Sequence, residues 1–133
     1  MSGLVLKLGP KERILINGAV IENGDKRSKL NVVTPNAKIL RLRDALHPEE
    51  VDSPVKRVCY ILQLVLSGDS DPNDARHQVL RGLEQLSQVF TDIDSRKIIA
   101  TVTQNTANDN FYPALRALRH LVNREKRIIE AMN

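Results

Sequence analysis

The sequence predicts an α+β fold, in which a small N-terminal antiparallel β-sheet packs on a C-terminal bundle of three or four α-helices. Before residue 48, short apolar segments are separated by Asn-Gly pairs, which is typical of strands joined by tight turns. After residue 48, apolar residues recur at helical spacing between proline and glycine signals. We therefore expect a basic sheet region at 1–47 and a helical bundle at 48–133, which together form one cooperative unit.

The strands of the sheet region are predicted from two turn signals and from alternation. Asn17-Gly18 and Asn23-Gly24 both favour hairpin turns, because Asn and Gly tolerate positive φ. The second turn would carry a basic tip formed by Lys26, Arg27 and Lys29. Period-2 alternation predicts these inward residues: Leu4, Leu6, Leu8, Ile14, Ile16, Leu30, Val32, Leu40 and Leu42. It predicts these outward bases: Lys7, Arg13, Lys29, Arg41 and Arg43.

The first helix is predicted over residues 54–67. Ser53-Pro54 is a good N-cap followed by a first-turn proline, and Gly68 is a good stop. The helix is apolar on nearly every side, so we expect it to be central and covered by the sheet, by other helices or by a second subunit. Cys59 on this helix is expected to be a small core residue.

Three further helices are expected to complete the bundle. Asp71 caps the second helix, whose buried face is Val79, Leu83, Leu86 and Phe90. A short third helix follows Asp94, and a polar break at 105–110 precedes the last helix. The last helix is expected to bury Leu115, Leu118, Val122 and Ile129. Its opposite side would carry Arg116, Arg119, Asn123 and Arg127.

Charge is divided unevenly along the chain. Residues 1–47 hold nine bases and four acids, a net charge of +5, residues 49–94 carry −5, and residues 96–133 carry +4. This pattern indicates either a surface that binds polyanions or acidic and basic parts that neutralise one another within a monomer or an oligomer. The outward bases have a third explanation, since one face of a small sheet is normally solvated.

The sequence contains no recognisable catalytic or metal-binding pattern. Its three histidines lie in separate predicted elements, and neither a phosphate-binding glycine loop nor a nucleophile turn is present. We therefore expect no enzyme activity, no cofactor and no metal. A single cysteine excludes an internal disulfide, and the absence of a signal peptide or a membrane-length apolar segment predicts a cytoplasmic protein without membrane contact.

Three segments resemble the FlbT family of post-transcriptional flagellin regulators: NGAVIENGDKR at 17–27, AKILRLRDALHPEE at 37–50 and SPVKRVCYILQL at 53–64. The resemblance implies an RNA-binding regulator that associates with the 5′ untranslated region of flagellin mRNA and affects its translation and degradation. The matching positions are Asn17, Gly18, Asn23, Gly24, Asp25, Arg27, Leu40, Arg41, Pro54, Lys56 and Arg57. The chain departs from the family at Cys59, where many members have an aromatic residue, and at Lys26, where a second Arg is common.

Candidate RNA-binding residues follow from the charge pattern together with this resemblance. The primary candidates are Lys7, Arg13, Lys26, Arg27, Lys29, Arg41 and Arg43. The secondary candidates are Arg116, Arg119 and Arg127. No aromatic residue precedes Tyr60, so binding would depend on Arg, Lys and backbone edges and not on base stacking.

The alternative function is protein binding, as a flagellar chaperone or adaptor that holds flagellin or another flagellar regulator against its helices. That function would require helix 54–67 to present an open apolar groove. We also expect a homo-oligomer that associates through helical surfaces. The sequence leaves open which RNA is recognised and whether binding represses or activates.

Overall fold

The computed structural model describes residues 3–35 and 37–132 and confirms the α+β fold. Residues 1, 2 and 36 of the predicted sheet region, and residue 133 of the predicted helical bundle, lie outside the described residues. The described strands are β1 (Leu4–Leu8), β2 (Arg13–Ile16), β3 (Ala19–Glu22), β4 (Ser28–Val32) and β5 (Ile39–Arg41). The described helices are α1 (Pro54–Ser67), α2 (Pro72–Val89), α3 (Ile93–Ala107) and α4 (Phe111–Met132). Short 3-10 turns at Leu42–Asp44 and Pro48–Glu50 link the two parts.

The strands form two small antiparallel sheets where the sequence predicts one. One sheet pairs β1 with β4, and the other has the order β3-β2-β5. The predicted Asn17-Gly18 hairpin is confirmed, because it joins β2 to β3 with φ of 48° and 86°. The hairpin predicted at Asn23-Gly24 is wrong, because β3 and β4 lie in different sheets and residues 23–27 connect them.

The predicted strand faces are confirmed in the first sheet and partly wrong in the second. Lys7 lies opposite Lys29 on the exposed face, whereas Leu6 and Leu8 are buried. In the second sheet, Arg41 lies opposite the fully buried Ile14 and therefore shares its face. The side chain of Arg41 is only 13% exposed, so its predicted outward position is wrong. Leu42, predicted to point inward, is 38% exposed because the strand ends before it.

Helix α1 has the predicted bounds and the predicted central position. Ser53 accepts a hydrogen bond from the Lys56 backbone N–H, and Gly68 ends the helix with φ of 86°. The helix packs against α2, α4 and β5. Its buried residues are Val55, Val58, Cys59, Leu62, Val65 and Leu66. The apolar surface of α1 is therefore used within the single chain.

The remaining helices are packed so that each contacts the next and α4 also contacts α1. Helix α2 has the predicted Asp71 cap and buried face. Helix α3 is longer than predicted and is capped by Asp92 rather than Asp94, since Asp92 accepts from the Ser95 N–H at 3.0 Å. It continues to Ala107, so the break before α4 is shorter than the predicted 105–110.

Two positions on α4 differ from the sequence prediction. Ile129 is 44% exposed, because α3 begins near Arg124 and does not cover the end of α4. Arg119 is half-buried and lines the groove between α1 and α4, whereas Arg116 and Arg127 lie on the predicted exposed side. The three arginines therefore do not form one exposed ridge.

Candidate nucleic-acid interface

A pair of lysines lies on the exposed face of the two-stranded sheet. Lys7 in β1 and Lys29 in β4 are register partners, and both side chains are exposed. Like charges directly opposite each other on antiparallel strands are destabilising. This arrangement therefore costs the sheet some stability, and an anion bound to both ammonium groups would offset that cost.

Two arginines extend this basic surface into a pocket. The pocket has a volume of about 470 Å³ and is lined by Lys7, Leu8, Gly9, Pro10, Arg27, Ser28, Lys29 and Arg43. Four lining residues are cations, and no lining residue is acidic. Among the residues that the structure describes, Lys7, Arg27 and Lys29 form no ion pair. We call this set of eight residues the basic pocket.

Asn23 shapes one side of the basic pocket. Its side-chain amide donates to the backbone oxygens of Gly9 at 2.6 Å and of Lys26 at 3.0 Å. Its carbonyl oxygen accepts from the Ser28 hydroxyl at 2.7 Å. The side chain thus joins the turn after β1 to the loop that enters β4, so its role is to fix the pocket walls and not to form a hairpin.

Glu12 lies behind the basic pocket and was not identified from the sequence. Its side chain is only 7% exposed, and its Oε1 accepts from the Gly9 backbone N–H at 3.0 Å. Its Oε2 lies 3.5 Å from Arg41 Nη1 and 3.5 Å from Arg43 Nε. A buried carboxylate needs such cationic neighbours. Glu12 therefore fixes the turn after β1, through Gly9, and one edge of the Arg43 guanidinium.

Arg41 connects the two sheets. Its Nη2 donates to the Lys7 backbone oxygen at 2.7 Å, and its Nη1 faces Glu12. Because β1 and β5 belong to different sheets, this single guanidinium holds Lys7 in place relative to the second sheet. Arg41 is thus a structural neighbour of the basic pocket and does not line it.

The other primary candidates lie outside the basic pocket. Arg13 forms an exposed ion pair with Glu22, its register partner, at 2.9 Å. Lys26 is exposed on the loop before β4. The structure thus brings together four of the seven primary candidates: Lys7, Arg27, Lys29 and Arg43.

The secondary candidates on α4 are separate from the basic pocket. Arg116 lines a different pocket with Leu4 and His120, and Arg119 lies in the groove beside Cys59. Burial raises the pKa of the Cys59 thiol from 9.0 to about 12, so this thiol stays protonated at neutral pH. Cys59 is the core residue that the sequence predicts.

The chemistry available on this surface is anion binding. Ammonium and guanidinium groups donate charge-assisted hydrogen bonds to phosphate oxygens.

Within the described residues, no group of three or more His, Cys, Asp or Glu side chains could hold a metal ion. No described helix is long and apolar enough to cross a membrane.

Comparisons with known proteins match nearly the whole chain. Residues 4–129 match the family model described as Flagellar protein FlbT. The probable flagellum biosynthesis repressor protein FlbT 1 of Bradyrhizobium diazoefficiens is 33% identical over 126 residues, which cover 94% of this chain and 84% of that protein. The probable flagellum biosynthesis repressor protein FlbT of Rhodopseudomonas palustris is 32% identical over 127 residues, which cover 95% of this chain and 97% of that protein. The flagellum biosynthesis repressor protein FlbT of Caulobacter vibrioides is 25% identical over 122 residues, which cover 92% of this chain and 86% of that protein. No solved structure matches the chain.

Proposed function

The chain belongs to the FlbT family, and on that premise we propose that it is a cytoplasmic, non-catalytic regulator that represses flagellum biosynthesis by binding RNA. Its relatives in Bradyrhizobium and Caulobacter carry the name of flagellum biosynthesis repressors. The proposed RNA is the 5′ untranslated region of flagellin mRNA, and binding there alters translation and degradation of the message.

The observation that carries this proposal is the basic pocket on the exposed face of β1 and β4. Lys7 and Lys29 are held opposite each other despite their like charge, and Arg27 adds a third cation without an ion-pair partner among the described residues. Phosphate oxygens would relieve the repulsion and pair with all three groups. Exposed basic residues without aromatic platforms favour contacts to the RNA backbone over base stacking.

The proposal is tested by measuring affinity for the leader RNA as a function of salt. We expect affinity to fall steeply as salt rises, because each phosphate contact releases counterions. A control RNA of equal length and shuffled sequence separates the charge contribution from sequence recognition. If the leader RNA does not bind at low salt, the proposed function is wrong.

The alternative, a flagellar chaperone or adaptor, is less favoured because most of the apolar surface of α1 is covered within the chain. Six residues of α1 are buried within the chain, and the helix contacts α2, α4 and β5. A client that requires an open α1 would therefore have to displace other helices. Binding of purified flagellin without RNA, at micromolar concentrations, would favour the adaptor function over the RNA function.

We also propose self-association, and exposed apolar residues at one end of the bundle are the candidate contact. These residues, at the end of α2, the start of α3 and the end of α4, are Val89, Ile93, Ile128, Ile129 and Met132. Ile93 is 72% exposed and Met132 is 80% exposed. Light scattering should give a mass above that of a monomer, and Ile93→Glu should reduce it. A monomer at all micromolar concentrations contradicts self-association.

A further inference from the structure

We propose that the basic pocket binds an oligophosphate, meaning several phosphates linked in one chain, as found at the 5′ end of a primary RNA transcript or in a free nucleoside triphosphate. The proposal rests on the RNA-binding function above for the RNA source, but not for the oligophosphate chemistry itself. It assigns a defined ligand to a surface that would otherwise contact any phosphate of an RNA strand.

The first argument is the density of positive charge. Lys7, Arg27 and Lys29 line one pocket together with Arg43, and the lining contains no carboxylate. An internal phosphodiester carries one negative charge, whereas a triphosphate places several within a short chain. The anion that best offsets the cross-strand repulsion of Lys7 and Lys29 is therefore the one with the highest local charge.

The second argument is size. The volume of about 470 Å³ lies within the range of pockets that hold small molecules, roughly 300–1,000 Å³. A single phosphate group would fill only a small part of it. A phosphate chain with its terminal ribose fits such a volume, and the pocket offers no aromatic side chain on which a base would stack.

The third argument is the type of donor. Gly9 cannot offer its backbone N–H to a ligand, because Glu12 Oε1 already accepts it at 3.0 Å, and Pro10 has no N–H. The wall formed by these two residues therefore supplies no backbone donor. Binding depends on the long basic side chains, which match a chain of charged oxygens more closely than one phosphate held in a backbone nest.

The side chains behind the pocket fit a positioning role. Glu12 Oε2 lies 3.5 Å from Arg43 Nε, so one edge of that guanidinium faces the protein while the side chain stays 60% exposed. Arg41 holds the backbone of Lys7 through its 2.7 Å hydrogen bond. The first contact orders the Arg43 guanidinium before any ligand arrives, and the second fixes the backbone from which the Lys7 side chain extends, so part of the ordering cost of binding is lowered.

The test compares one short RNA made with three 5′ ends: triphosphate, monophosphate and hydroxyl. We expect the triphosphate RNA to bind the full chain at least about tenfold more tightly than the hydroxyl RNA. Inorganic tripolyphosphate should displace the triphosphate RNA from the protein. Lys29→Ala should remove the preference for the triphosphate end, whereas Lys97→Ala, which removes an exposed lysine from α3, should leave it unchanged.

The outcomes separate this inference from the proposed function. If the three RNAs bind equally and tripolyphosphate does not compete, the oligophosphate inference is overturned while RNA binding stands. If tripolyphosphate and ATP bind in a way that depends on Lys29 but no RNA competes, the oligophosphate is a free nucleotide. The inference then stands and the RNA function fails.

Discussion

The helical bundle and the two sheets of this protein are stabilised in different ways. The bundle buries aliphatic side chains on all four helices, with Val55, Leu62 and Leu118 at 0% exposure. The sheets are short, have two and three strands, and bury fewer apolar side chains, among them Leu6 and Ile14. They add polar bridges such as Arg41 to Lys7 and Asn23 to Gly9. The sheets also carry the Lys7–Lys29 pair, which opposes folding. The difference indicates that the bundle supplies most of the buried core, whereas the sheets carry the proposed binding surface.

The largest expected effect is loss of a bundle core residue. Leu118→Ala should lower the free energy of unfolding by about 2–5 kcal/mol, because it leaves a cavity in a fully buried position. Leu6→Ala should cost less, since the two-stranded sheet around it can collapse more easily. Urea unfolding of both variants checks this. An equal or larger cost for Leu6→Ala would break the comparison.

A smaller effect is expected at the one described acidic residue buried in the bundle. Glu125 of α4 is 7% exposed, and its Oε2 accepts from the Val55 backbone N–H at 2.9 Å near the start of α1. Glu125→Ala should cost about 1–3 kcal/mol, because that N–H is left without an acceptor. Glu130→Ala removes an exposed acid from the same helix and is the control. Equal unfolding midpoints for the two variants would contradict the capping role.

Reversing one charge of the lysine pair should affect stability and binding in opposite directions. Lys7→Glu places a carboxylate opposite Lys29, so the free energy of unfolding should rise by about 0.2–1 kcal/mol. RNA affinity should fall, because the pocket loses a cation and gains an acid. Thermal unfolding and RNA titration of the same preparation check both. A variant that is less stable yet binds RNA normally would contradict the division between the two regions.

The last expected effect is absent at neutral pH and comes from the titration of a thiol in the bundle core. Burial holds the pKa of Cys59 at about 12, against 9.0 for an exposed thiol. Above pH 9.0 the unfolded chain loses this proton while the folded chain keeps it, so stability should fall as pH rises. The difference between the wild type and Cys59→Ala isolates this slope from other groups. Parallel stability curves above that pH would show that Cys59 does not titrate in this way.

The sequence predicts features whose signals are local and misses those that depend on distant partners. Helix α1 has its predicted bounds, because the signals at Ser53, Pro54 and Gly68 act within one turn. In β5 the buried position of Leu40 is predicted correctly, but the burial of Arg41 is not. A strand of three residues shows too little alternation, and pairing with β2 decides how far each side is covered. The Glu125 contact spans 70 positions along the chain and has no local signal.

At the candidate site, too, local features are predicted from the sequence and contacts between distant residues are not. The alternation of β1 and β4 correctly predicts that Lys7 and Lys29 face outward, because each strand has five residues with one clearly apolar face. The structural role of Arg41 depends on Glu12 and on the other sheet, and neither contact can be seen in a list of charges. An acid among the bases of residues 1–47 is a weak signal for such a buried partner.

The most direct test of the account is the salt dependence of leader-RNA binding for the wild type, Lys29→Ala and Lys97→Ala. Both variants lose one exposed lysine, but only Lys29 lines the basic pocket. We predict that Lys29→Ala weakens binding and reduces the slope of log affinity against log salt by about 1, while Lys97→Ala matches the wild type. Equal slopes and affinities for all three proteins would contradict the claim that the basic pocket binds RNA.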